Sequence, residues 1–392
     1  MKAGWITKPL GELCDVIGGG TPPKDRPDYY GGDIPWATVR DMRTDIITST
    51  EHSITKEAVK ASATNIIPAG NVVIATRVGL GKVCLLGQDT AVNQDLRGIV
   101  PKSNKVIDVN FLFAWFKSIS EQIIAEGTGA TVQGVKLPFI KGLAVPFPEM
   151  EEQHRIVTLL DEAFADIATA KANAEKNLQN ARALFISHLQ LGYQQHGEGW
   201  TTSRIADIAK HSLGKMLDKA KNRGDLKPYL RNLNVRWFDF DLSDVQEMKF
   251  TPEESDKYTA IKGDVLICEG GYPGRCAIWE DDEPIYFQKA LHRVRFHNPL
   301  HSKWFVNYLY LMDQTGDLKN HFSGTGIQHF TGEALAKFTL PIPPDKQIQQ
   351  VLGKANQLEA EVVRLESVYR QKLTALDDLK KSLLHQAFSG QL

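Results

Sequence analysis

The stretch GTGATVQGVKLPFIKGLAVPFP fills Gly127–Pro148, and GTGIQHFTGEALAKFTLPIPP fills Gly324–Pro344. Each passes in the same order through a GTG turn, a Gln, a short polar-to-apolar stretch and Pro-x-Pro, then enters a long polar segment of helical period. The echo extends outward from there. Gly4–Trp5 recurs at Gly199–Trp200, PWATVRDM (Pro35–Met42) meets PYLRNLNV (Pro228–Val235), and GNVVIA (Gly70–Ala75) meets GDVLIC (Gly263–Cys268). Gln94 meets Gln288, Pro146 meets Pro341 and Gln153 meets Gln347. All these pairs keep one order and lie 193 to 197 residues apart. An internal duplication with diverged filling explains that pattern, and it sets the fold.

Each copy divides into two parts. About 150 residues mix short β-rich runs such as NVVIATRV and DVLICEG with Gly/Pro turns and one short helix, at NFLFAWFKSIS or KWFVNYLYLMD. A long helix follows. In the first copy its apolar positions Leu160, Phe164, Ile167, Ala174, Leu178, Ala181 and Phe185 step by three or four, with Lys171 the polar member. In the second the steps fall on Leu358, Val362, Leu365, Tyr369, Leu376, Leu379 and Leu383, with Lys372 the polar member. Neither Glu151–Gln190 nor Lys354–Ser389 contains Pro or Gly. This is the seam of a coiled coil, and it nominates Leu160, Phe164, Ile167, Leu178 and Phe185 to pair with Leu358, Val362, Leu365, Leu376 and Leu383. A helix of about forty residues is roughly 60 Å long. The expected architecture is α+β: two duplicated mixed α/β domains (1–150 and 197–343) separated by two helical regions (151–196 and 344–392). The helices would pack as an antiparallel coiled coil in a pseudo-two-fold arrangement, with a head at each end.

Composition places the chain among globular proteins. Of its 392 residues 42% are hydrophobic and 24% charged. No apolar run reaches the length of a membrane span, and the start lacks the apolar core of a signal peptide. Cys14, Cys84, Cys268 and Cys276 show no metal-binding or disulfide spacing, so reduced thiols and the cytoplasm are expected.

Catalytic motifs fail on context. FSGTG (Phe322–Gly326) fits a methyl-donor fingerprint but follows no strand, and no NPPY-like element accompanies it. VGLGK and IGGGTPPK lack phosphate-loop spacing. No catalytic residue and no metal site is expected.

DNA contact rests on local charge. The net charge is −1, yet from Arg204 to Arg236 nine Lys/Arg stand against three Asp. Within that run Lys215, Lys219, Lys221 and Arg223 suit phosphates. Arg231, Asn232, Asn234 and Arg236 are residue types that pair with guanine and adenine edges. Thr21 and Lys24, Arg40 and Arg43, Arg77 and Lys82, and Arg275 are further candidates. Thr128, Gln133, Thr325 and Gln328 join them at the repeated GTG turns. Trp36 and Tyr229 suit core positions.

The ending SLLHQAFSGQL (Ser382–Leu392), the opening LGELCDVIGGGTP and the GTG…Q…P.P…EQ.RIV junction resemble the specificity subunits of type I restriction-modification systems. The resemblance covers the whole chain. It implies two target-recognition domains that read the halves of a bipartite, asymmetric double-stranded DNA sequence. It also implies helices that dock two methyltransferase subunits, with restriction/translocase subunits joining to allow cleavage. The chain itself would be non-catalytic and carry no cofactor, the methyl donor and ATP belonging to partner subunits. One departure is that the first long helix ends in ARALFISHLQLGYQQHGEGW without the AFSG ending, which suggests different end contacts. The alternatives are a coiled-coil adaptor with protein-binding heads, or a lone DNA methyltransferase. The first would not retard DNA on a gel with its methyltransferase partner, and the second would transfer methyl groups alone.

Overall fold

The computed structural model describes residues 4–127, 134–194, 197–218 and 220–392. It divides into two compact units, one combining residues 1–174 with 370–392, the other spanning 175–369.

Each unit contains two larger sheets and one two-stranded sheet, the latter pairing Ile6–Pro9 with Ala144–Phe147 in the first and Thr201–Arg204 with Thr339–Ile342 in the second. In one larger sheet of the first unit, the strand order is Cys14–Gly18, Leu96–Pro101, Val72–Ala75, Val83–Leu86 and Ile46–Ile47. In the other it is His52–Ile54, Tyr30–Ala37, Thr90–Val92 and Asn65–Ile67. The second unit repeats the plan with Ala209–Leu213, Leu291–Phe296, Val265–Cys268 and Cys276–Ile278, then Gln246–Phe250, Asp225–Leu230, Ile285–Phe287 and Thr259–Ala260. Even the one parallel pairing of the second sheet recurs, Trp36 facing Ala91 as Tyr229 faces Tyr286. The duplication read in the sequence is therefore a duplication of topology.

Local chemistry explains the elements. Val72–Ala75 and Val265–Cys268 are short apolar runs buried along their whole length, as central strands covered on both faces must be. Gly70 and Gly263 precede them at φ +79° and +90°, a conformation that costs glycine little. Trp36 and Tyr229 are buried, as expected of core aromatics. The head helices α1 (Val109–Ser118) and α3 (Leu300–Thr315) cover the first sheet of their units; the Asp108 carboxylate caps α1 by accepting from the Phe111 N–H at 2.9 Å.

The register corrects one sequence pairing. The Asn93 N–H donates to Ala37 O at 3.0 Å, and the Gln288 N–H to Leu230 O at 3.1 Å. Gln288 is thus the counterpart of Asn93, and Gln94 pairs one place further on. The cause is the connection after Val83–Leu86, which is shorter than the one before Ile285–Phe287. Beside this point the backbones nearly touch: a Cβ on Gly19 would lie 2.1 Å from Asn93 O, and one on Gly214 2.2 Å from Gln288 O.

Two long helices complete the units, α2 (Met150–Gln194) and α4 (Asp345–Ser389). In the first unit Ile156, Leu160 and Phe164 of α2 share a core with Leu383, Leu384, Ala387 and Phe388 of α4. In the second, Phe185, Leu189 and Tyr193 of α2 share a core with Ile348, Leu352, Ala355, Leu358 and Val362 of α4. Positions late in α2 meet positions early in α4, so the pairing is antiparallel. Lys171 pairs with Asp377, and Arg182 with Glu366 at 2.5 Å. Of the expected seam, Leu160, Ile167 and Phe185 are buried, while Phe164, Leu178, Leu358, Val362, Leu365, Leu376 and Leu383 are half-buried. Lys372 and Leu379 are exposed, and Leu384 takes the buried place instead.

Without the AFSG ending, α2 keeps ring packing at its end but changes the contacts: the Tyr193 hydroxyl donates to Trp304 O, where Phe388 has no such group. Tyr193 packs on Trp304 of α3 with ring centroids 4.0 Å apart, and Phe388 packs on Phe111 of α1 at 5.1 Å. Leu189, Gly192 and Tyr193 fill the places that Leu384, Ala387 and Phe388 fill in the other unit. A Cβ at Gly192 would approach Val351 to 2.6 Å, which accounts for glycine there.

Candidate nucleic-acid interface

In the second unit three loops converge beyond the sheet ends. The first follows strand Asp225–Leu230. Asn234 is buried and builds this loop from within: its amide donates to the carbonyls of Asp241 (2.9 Å) and Asp244 (3.0 Å), and its Oδ1 accepts from the Arg231 N–H (2.9 Å). The Arg231 guanidinium is held by the Asp244 carboxylate at 2.7 Å and its carbonyl at 2.8 Å. Arg236 stays exposed and pairs with Asp241 at 2.9 Å. The Asp241 carboxyl is held below its usual range, first by the Ser243 hydroxyl and further by Arg236.

The second loop, 269–275, is tied to the first. Asn232 donates to Gly270 O at 3.1 Å, and Arg275 donates to Asn232 O at 3.1 Å while lying 5.0 Å over the Tyr272 ring. A Cβ on Gly271 would meet the Asn232 amide at 2.4 Å, so the close approach requires glycine. The third loop is the GTG turn. Ser323 and His329 exchange two backbone hydrogen bonds of 2.9 Å, and Phe330 N–H donates to Glu269 O at 2.8 Å, seating the turn on the second loop. Thr325 and Gln328 stand exposed at its tip beside Ile327, which is 77% exposed. FSGTG is therefore a pinched surface loop, not a donor fingerprint between strand and helix.

The first unit builds the first two of these loops with other residues. Thr38 N–H donates to Asp41 at 2.7 Å, the counterpart of the Arg231–Asn234 closure. Arg40 and Arg43 are exposed on this loop, with Arg43 Nε on Arg40 O at 3.0 Å. Arg77 and Lys82 are exposed on the second loop, Arg77 lying 3.6 Å from Asp95 and Lys82 3.4 Å from Met42 O. Val135 N–H donates to Thr76 O at 2.9 Å, which brings the end of the GTG segment to this loop. Thr128 and Gln133 lie outside the described residues. The Thr21 hydroxyl donates to Gln94, and Lys24 is exposed.

The basic run after Gly214 separates into two kinds of residue. Lys215 is buried, with its ammonium on Glu254 (2.5 Å) and Lys249 O (2.9 Å); it braces the sheet and offers no surface charge. Lys221 is exposed near Asp218 at 3.8 Å, and Arg223 is exposed on Ala220 O at 2.7 Å. Lys219 lies outside the described residues. Asn234, Arg231 and Lys215 thus move from contact candidates to loop-builders. Exposed Leu233, Tyr272 and Ile327 were missed, because an apolar residue at a loop tip looks like a core residue until the turn is known. No group of three or more metal-ligating side chains occurs among the described residues, and none of their helices is long and apolar enough to cross a membrane. The four cysteines are free and buried, and burial pushes the Cys84 thiol up to about 11 and Cys14 to about 12.

Each unit thus carries its own loop cluster on its own sheets, joined to part of each long helix. The type I restriction modification DNA specificity domain matches residues 2–178 and again 197–357, and the chain belongs to that family. Among similar proteins, the type I restriction enzyme MjaIX specificity subunit of Methanocaldococcus jannaschii is 27% identical over 228 residues, covering 54% of this chain and 52% of that one. The EcoR124I/EcoR124II specificity subunit of Escherichia coli is 35% identical over 162 residues, 40% of each chain. The matches thus span about half or less of these relatives' length. A chain solved in work on complex assembly and conformational transition of the type I R-M system superposes with TM-score 0.82 at 18% identity, over 100% of this chain and 99% of that one; it shares the fold.

Proposed function

We propose that this chain is the DNA-reading subunit of a type I restriction-modification complex. Each head reads one half of a bipartite, asymmetric duplex sequence. The observation that carries this is the pairing of conserved construction with changed surface. Both heads close the first loop through equivalent hydrogen bonds, Thr38 to Asp41 and Arg231 to Asn234. Both also link the second loop to the end of the GTG segment, Val135 to Thr76 and Phe330 to Glu269. Yet the exposed residues of the first two loops differ, as two readers of different half-sites require. Arg236, Arg275, Thr325 and Gln328 in one head, and Arg40, Arg43 and Arg77 in the other, supply the donors and acceptors that base edges and phosphates accept. Exposed Tyr272 and Ile327 offer apolar contact to thymine methyls and sugars. Lys24, Lys82, Lys221 and Arg223 supply phosphate contacts.

The chain is non-catalytic on this reading. Two methyltransferase subunits dock on the long helices and bring the methyl donor, restriction/translocase subunits bring ATP chemistry, and the complex works in the cytoplasm. Sequencing methylated bases in cells that carry the chain with its methyltransferase partner tests the proposal. The expected result is one asymmetric motif of two defined halves around an undefined spacer; methylation at a continuous short motif, or none dependent on this chain, would overturn it.

A further inference from the structure

In the first unit a cleft opens between the second loop, α1 and the last third of α4. Five cations line it, Arg43, Lys82, Lys117, Lys380 and Lys381, against the carboxylates of Asp45 and Asp377. Lys117 pairs with Asp45, Lys381 with Glu121 at 2.8 Å, and Asp377 is taken by Lys171 from outside the cleft. Among the described residues Lys380 has no carboxylate partner; its ammonium lies 4.7 Å over the Phe164 ring. A surplus of positive charge therefore faces the opening.

The duplication shows that the fold does not require the cations at Lys117 and Lys380. Counting from the matched rings Phe111 and Trp304, Lys117 corresponds to Tyr310. Counting from Phe388 and Tyr193, Lys380 corresponds to Phe185. The equivalent cleft of the second unit presents the rings of Phe185, Trp237, Phe238 and Tyr310, and its charged residues are one cation, Arg182, and three carboxylates, Asp239, Glu359 and Glu366. The centroids of the other three rings lie 4.8 to 5.8 Å from that of Tyr310. One architecture thus carries tilted and edge-on rings at these positions in one half and lysines in the other. Like charges gathered in a cleft repel one another, so aromatic packing is the less costly way to hold the same elements. A charged partner supplies the reason for the lysines.

We infer that this cleft binds the phosphate backbone of duplex DNA leaving the first head's recognition loops. The inference rests on the DNA-reading role proposed above and extends it to residues of α4, a helix outside the head. The argument for nucleic acid is continuity: Arg43 and Lys82 belong both to the recognition loops and to the cleft, so one anion track runs from loop tips to helix. Such contacts carry no sequence information and fix the duplex's direction.

The test is DNA binding by the complex of the full chain with its methyltransferase subunit, measured from low to moderate salt. Three forms are compared: wild type, K380Q/K381Q and K380R/K381R. The slope of log affinity against log salt should fall by about 0.9 for each lost phosphate contact, hence by about 1.8 in K380Q/K381Q. The Arg variant should keep the wild-type slope. The ratio of affinities for the methylated sequence and a scrambled one should stay unchanged in both. An unchanged slope in K380Q/K381Q, with wild type binding its site normally, would overturn the inference. So would loss of the methyltransferase subunit at unchanged slope, which would assign the cleft to an acidic protein surface. Wild-type complex that fails to prefer any sequence would instead overturn the DNA-reading role.

Discussion

His292 occupies a place where burial decides protonation. It is 1% exposed, and removal from water, helped by nearby His211, pulls its pKa from 6.5 down to about 4. The folded state therefore holds it neutral, while the unfolded chain takes up a proton below pH ~6.5. A group whose folded pKa is depressed contributes stability that is complete above the unfolded value and lost as pH falls towards the folded one. Between pH ~6.5 and about 4 the second unit should lose about 3 kcal/mol through this side chain. Denaturant unfolding of wild type and His292→Gln at pH ~7 and pH ~4.5 checks it: the variant should show the smaller loss on acidification, and equal losses would assign the burden elsewhere. Residue roles were the least legible part of the sequence. Asn234 and Arg236 are two positions apart in one polar run, yet one is spent inside a loop and the other faces solvent. Lys215 and Lys221 differ in the same way. Composition sees only charge, and the burial that separates them is a tertiary fact.

At the scale of elements the sequence was far more informative, because periodicity survives divergence. The seam of α2 was legible residue by residue, down to Lys171 as its polar member; its pairing with Asp377 was not. In α4 the period drifts near the end, and there the reading slipped: Leu379 is 46% exposed and Leu384 is buried. A straight α-helix rotates by about 20° per heptad against a strict seven-residue repeat, so one residue of drift accumulates over a helix of this length. The distinction has a measurable consequence. Leu384→Asp places a carboxylate among Leu160, Phe164 and Ala387 and should cost several kcal/mol of first-unit stability. Leu379→Asp should stay within about 0.5 kcal/mol of wild type. Thermal unfolding of the two variants should separate them clearly, and equal melting temperatures would restore the original seam. The end of α2 teaches the complementary lesson. Gly192–Tyr193 does the work of Ala387–Phe388 with different letters, which motif matching cannot see and ring packing can.

For the whole molecule, the duplication predicts that the heads can be exchanged separately. The core of the first unit draws on residues of 1–174 and 370–392, and that of the second on residues of 175–369. Effects at sites with no shared partners add, so a changed first head should leave the reading of the second intact. Replacing residues 1–150 with the matching segment of a related subunit should therefore change one half of the methylated sequence. The other half should persist because residues 197–343 are untouched, and the spacer should persist because the exchange reaches only the first residue of α2 and none of α4. The structure adds a condition that linear boundaries hide. Phe111 packs against Phe388, and Leu384 and Ala387 complete the same core, so the incoming head must present a compatible ring at the Phe111 position. Where it does not, co-transferring residues 370–392 should recover a soluble, active chimera, although that transfer also moves Lys380 and Lys381. Mapping methylated bases in cells carrying each chimera reads the outcome directly. A motif in which one half changes at constant spacing is the expected result. A motif in which both halves change would mean that the two loop clusters read the duplex jointly, and independent heads would then be the wrong description.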